Sequence, residues 1–67
     1  MYNHKINFIN GQSIEVFTDS HFLPNLEIWA VVNKKNKIVH IPTRNVLYAE
    51  CLEDGWTFDS VHNKMYK

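Results

Sequence analysis

The sequence predicts an all-β fold, a small and strongly bent five-stranded barrel. Three observations carry this expectation. Apolar and polar residues alternate in short runs, as they do along half-buried strands. Turn-forming groups such as Asn10-Gly11 and Glu53-Asp54-Gly55 punctuate those runs. No stretch longer than two turns repeats its apolar residues at helical spacing.

The first run is His4-Lys5-Ile6-Asn7-Phe8-Ile9, with Ile6 and Phe8 on one face. Asn10-Gly11 follows, and Ser13-Ile14-Glu15-Val16-Phe17 alternates again. A two-residue loop would set Phe8 opposite Ser13 and mix core with solvent. A loop of odd length places Ile6, Phe8, Ile14 and Val16 on one face. The expected connection is therefore a three-residue bulged turn with Gly11 in the left-handed region. Residues 18–25 read as a connection in which Thr18, Asp19 and Ser20 cap a short helical turn and Pro24 ends it.

Leu26 to Asn33 is the most apolar run, with both faces apolar from Ile28 to Val32, which suits a strand covered on both sides. Lys34 to Lys37 turn the chain, and Ile38-Val39-His40-Ile41 returns. With Lys35-Asn36 as the turn, Val32 faces Val39 and Ala30 faces Ile41, so core meets core. Pro42 interrupts pairing, and Thr43-Arg44-Asn45 makes a sharp bend of one 3₁₀ turn. Val46 to Leu52 resumes as a strand, with Val46 and Tyr48 on one face and Leu47, Ala49 and Cys51 on the other. Trp56 and Phe58 share a face of a last strand. Val61 and Met65 stand four apart, a spacing for a short C-terminal helix. The expected core is Ile6, Phe8, Ile14, Val16, Ala30, Val32, Val39, Ile41, Val46 and Tyr48. So few short strands must curl to cover that face, which points to a barrel of the Sm-like kind and a single domain over residues 1–67.

Size and charge narrow the function classes. A core from 67 residues contributes only about 3–5 kcal/mol without a staple. Cys51 is the sole cysteine, so no disulfide forms within the chain, and self-association is the expected support. Lys plus Arg equals Asp plus Glu at seven each, which lacks the basic excess of a dedicated nucleic-acid binder. No run approaches the length of a membrane span, and no signal-peptide pattern opens the chain. A lone cysteine then fits a reducing cytoplasm. Phe, Tyr, Met, Ile, Asn and Lys supply 29 of the 67 residues, against two Ala and one Arg. Their codons are AT-rich, which points to a low-GC Gram-positive bacterium or its phage.

The segment from Lys37 to Glu50 holds an apolar-Ile41-Pro42 step, a polar bend, and then Asn45-Val46-Leu47-Tyr48-Ala49-Glu50. With the Asn10-Gly11-Gln12-Ser13-Ile14 strand entry, it resembles small, mostly uncharacterised all-β proteins of Gram-positive bacteria and their phages. That resemblance covers about a quarter of the chain and implies no common activity. The same run is similar to the opening strands of LytTR-type DNA-binding domains, which carry an Ile-x-Tyr-Ile-Glu strand. Here Ala49 stands where an isoleucine is usual, and the later basic strands of that family are missing.

Four histidines, His4, His21, His40 and His62, have none of the close pairing of a structural zinc site, and Cys51 adds no second thiolate. No metal or cofactor is expected. Cys51 reads as a buried, inert thiol, since a reactive one needs an electropositive setting. The only enzyme these residues suggest is a very small one using His40 or Cys51. The expected function is instead a non-enzymatic module acting through protein contacts, such as a phage-type regulator or inhibitor of a host protein. Its surface is an outward patch of Trp29, Val31, Ile38 and His40 beside the basic Lys34, Lys35, Lys37 and Arg44. That patch also motivates a homodimer. The alternative is nucleic-acid binding, with the Lys34–Lys37 tip and Arg44 on phosphates.

Overall fold

The computed structural model describes residues 1–67. Seven strands form one antiparallel sheet: β1 (Tyr2–Phe8), β2 (Ser13–Thr18), β3 (Ile28–Asn33), β4 (Ile38–Pro42), β5 (Val46–Cys51), β6 (Thr57–Asp59) and β7 (Lys64–Tyr66). Their spatial order is β4-β3-β2-β1-β5-β6-β7. The sheet is open, so the expected five-stranded barrel gives way to a curled sheet with two free edges.

The curl is visible in one side chain. Phe22, from the β2–β3 connection, meets Trp29 of β3 edge-on at 5.1 Å and Phe58 of β6 at 5.2 Å between ring centroids. Those strands stand four places apart in the sheet, about 19 Å if it were flat. One ring reaches both because the sheet wraps around it. Ile6, Val16, Phe22, Trp29, Val31, Ile41, Val46, Ala49 and Phe58 make the core, flanked by Phe8, Ile14 and Val39.

The first hairpin follows the face arithmetic. Ile6 lies opposite Ile14 and His4 opposite Val16. Gly11 sits at φ +90°, and the Phe8 N–H donates to the Gln12 carbonyl at 2.8 Å, closing a three-residue loop. The second hairpin has the same loop length, where the sequence suggested two residues. Asn33 accepts the Lys35 and Lys37 N–H groups on its Oδ1, and Asn36 takes φ 61°. Val31 therefore faces Val39 and Trp29 faces Ile41. This slip of one residue exchanges the faces of β3. Trp29 and Val31 enter the core, while Ile28 and Ala30 are exposed and Val32 half-buried.

A second irregularity lies in β5. Asn7 pairs with Tyr48 but Phe8 pairs with Val46, so Leu47 is an extra residue. This bulge lets Val46, Ala49 and Cys51 all face inward and turns Tyr48 out of the expected core. The 3₁₀ turn at Thr43–Asn45 forms as expected. It carries the chain from the β4 edge to the far side of β1, tied by Thr43 N–H to the Glu27 carbonyl and Ile9 N–H to the Asn45 carbonyl. Thr18 ends β2, residues 19–25 hold bends and a turn but no helix, and the C-terminal segment pairs as β7 where a helix was expected.

Candidate functional site

Two groupings of side chains stand out, one on the outside of the β3–β4 hairpin and one inside a corner of the sheet. The outer face of β3–β4 presents Ile28, Ala30 and Val32 opposite Pro42, His40 and Ile38. Ile28 and Ile38 are 47% and 70% exposed, enough to make this a continuous apolar strip rather than scattered surface residues. β4 is an edge. The Asn33 N–H reaches the Lys37 carbonyl and the Thr43 N–H reaches the Glu27 carbonyl, so the odd-numbered positions of β4 face β3. In an antiparallel ladder the even positions then point their backbone groups off the sheet. Ile38 and His40 each offer a free N–H, and Pro42 has none.

Of the sequence-derived partner residues, Ile38 and His40 hold their outward positions. Trp29 and Val31 do not: both are buried in the core, and Ile28, Ala30 and Val32 replace them outside. The cations separate into two groups. Lys34, Lys35 and Lys37 sit at the hairpin tip, Arg44 at the opposite end of β4, roughly 17 Å away at five strand residues. Lys34 is held by Glu15 at 3.3 Å. No known protein family, curated protein or solved structure matches the chain.

The second grouping joins three separate segments. His21 leaves the β2–β3 connection, Cys51 ends β5, and Asp54 lies in the turn after it. Their ligand atoms lie within 4.8 Å of one another. His21 Nε2 is 2.6 Å from Asp54 Oδ2, and the Trp56 N–H donates to Asp54 Oδ1 at 3.0 Å. That amide, followed by donors from His21 and Cys51, holds the Asp54 carboxyl at about 2. Burial pushes the Cys51 thiol above its usual 9.0, so the thiol stays protonated and is a poor nucleophile. Tyr2 lies against the His21 ring, tilted by 34° at 4.7 Å between centroids.

His4 pairs across the ladder with Cys51 and lies behind this cluster. Thr18 Oγ1 donates to the Ser20 carbonyl, so it accepts from His4 Nδ1 at 3.1 Å. That bond assigns the proton to Nδ1 and leaves Nε2 a lone pair. Burial, and then the neighbouring His21 ring, hold the His4 pKa below its usual 6.5. His40 is on the outer face of β4, away from Cys51.

Linear spacing of histidines misses the inner cluster because its members are 30 and 3 positions apart. The local signal is Cys51-x-x-Asp54 at a strand-to-turn corner, where two donors three residues apart bend toward each other. A shallow depression lined by Phe8, Ile9, Asn10 and Asn45 gathers amides and apolar groups, with no titratable side chain.

Proposed function

We propose that the chain is a non-enzymatic protein-binding module that receives an acidic, extended segment of another protein along β4. The observation that carries this reading is the unpaired β4 edge, with two outward N–H donors beside the Ile28–Ile38 strip. Strand addition takes its affinity from such main-chain donors and its specificity from alternate side chains. Lys35 and Lys37 flank one end of the edge and Arg44 the other, while Lys34 is already paired with Glu15. That charge favours an acidic partner. It also disfavours a second copy on the same edge, because antiparallel β4 pairing would bring Lys37 of each copy toward Arg44 of the other. A regulator or inhibitor acting on a host protein is the concrete form of this activity.

The test uses a labelled peptide of alternating Val and Glu. Binding should protect the Ile38 and His40 amides from hydrogen exchange. Ile38→Pro, which removes one donor from the edge, should weaken binding at least about tenfold, or 1.4 kcal/mol. Equal binding by Ile38→Pro, or protection elsewhere, removes the reading. Single-stranded DNA that binds with a steep salt dependence instead would favour phosphate contacts at the lysine tip. Sedimentation equilibrium on the free chain identifies a homodimer directly.

A further inference from the structure

We propose that His21, Cys51 and Asp54 form a binding site for a borderline divalent cation, with zinc the best fit. The three side chains bring one imidazole nitrogen, one sulfur and one carboxylate oxygen, and all three atoms already lie within 4.8 Å of one another. Zinc takes this mixed N, S and O set in tetrahedral geometry, with bonds of roughly 2.0–2.3 Å. Tetrahedral angles put the nitrogen and oxygen ligand atoms roughly 3.3–3.5 Å apart at those bond lengths. His21 Nε2 and Asp54 Oδ2 are now 2.6 Å apart, so a cation opens that contact by less than about 1 Å and takes the Nε2 lone pair, the ring hydrogen moving to Nδ1. His21 and Asp54 belong to connecting segments, where small side-chain rotations suffice. Cys51 sits on the rigid end of β5, its thiol on the inner side.

Hard cations are excluded by the donor set. Calcium and magnesium prefer all-oxygen shells, and this corner has one carboxylate oxygen pair with a sulfur and an imidazole. Orientation is also provided in advance. The Trp56 N–H holds one oxygen of Asp54 and leaves the other aimed at His21. Tyr2, its ring tilted 34° to that of His21, covers one face of the imidazole. Such supporting contacts commonly hold metal ligands in place. Binding displaces the Cys51 thiol proton to solvent, and the thiolate then balances the cation's charge. Three protein donors leave the fourth tetrahedral position to water or to an incoming ligand.

The experiment uses the full chain stripped with a chelator and titrated with cobalt(II), a coloured substitute for zinc. The expected result is one cobalt per chain, with the intense ligand-field bands of a tetrahedral site and a sulfur-to-cobalt charge-transfer band. Zinc should erase both. In a weakly buffered solution close to one proton should be released per zinc bound. Cys51→Ser should lose the charge-transfer band, and His21→Gln and Asp54→Asn should each weaken binding by about 10-fold or more. His21 and Asp54 are only half-buried, so their variants stay folded, and circular dichroism checks this. Octahedral cobalt spectra, absence of the sulfur band in the native chain, or affinity unchanged in both His21→Gln and Asp54→Asn would overturn the proposal.

Discussion

At the residue scale, short polar side chains do the work of fixing the backbone, and Asp59 is the clearest. Its side chain receives His62 Nδ1 at 2.6 Å and the Val61 and His62 N–H groups. The His62 contact first, and those amides after it, hold its pKa below the usual 3.8. A carboxyl whose folded pKa is depressed adds stability that is complete above its unfolded value and is lost as pH falls toward the folded one. We expect the urea midpoint to fall as pH is lowered below about 4. Asp59→Asn keeps an acceptor for the two amides but has no proton to gain. Its acid slope should be shallower, though not flat, because Asp54 titrates to about 2 in the same direction. An identical slope in both proteins would refute the assignment.

At the element scale, loops and one bulge decide which side of each strand is wet. Asn36 at φ 61° closes the β3–β4 loop, and a β-branched residue there would be strained by about 1–2 kcal/mol. Asn36→Val should lower stability by that amount, read from chemical denaturation, with the strand content kept. The same loop explains where sequence reading stopped. Asn10-Gly11 announces its odd length, since glycine is the usual left-handed residue. Lys34-Lys35-Asn36 has no glycine, and two- and three-residue versions both give plausible apolar pairs. A strand apolar on both faces cannot choose between them, and the two-residue version puts Trp29 and Val31 outside and Ala30 and Val32 inside. The side chain of Asn33, bonded to two backbone amides at the turn, is what selects the register. Leu47 had a similar effect in β5, where strict alternation assigned Tyr48 to the core and missed Ala49. The 3₁₀ turn at Thr43–Asn45 was legible because Pro42 and three polar residues leave few alternatives.

On the scale of the whole molecule, stability concentrates around a few aromatic rings. Phe22, Trp29 and Phe58 join opposite arms of the curled sheet. Removing a buried Trp side chain typically costs about 3–5 kcal/mol, comparable with everything a chain this short gains on folding. Trp29→Ala should therefore abolish the cooperative thermal transition. Ile38→Ala, on the exposed face of the same hairpin, should stay within about 0.5 kcal/mol of the native protein. The contrast separates the ring that holds the arms together from an exposed strip that the fold does not need. Phe22 escaped the sequence-level core because it lies in a connection, where no strand alternation marks it. The His21 corner escaped for a related reason, since the curl, rather than local pattern, brings residues 21, 51 and 54 together.

A sheet with two open margins is also a template for polymerisation, because unpaired edges recruit further strands. Here the margins are unequal. β7 is three residues long and ends beside Lys64 and Lys67, while β4 is capped at one end by Pro42 and at the other by lysines. A strand laid on β4 finds two donors and then a proline, which limits the ladder it can form there. Neither margin offers the long, flat, uncharged edge that a growing stack of copies needs, so the sheet is poorly suited to propagate a fibre.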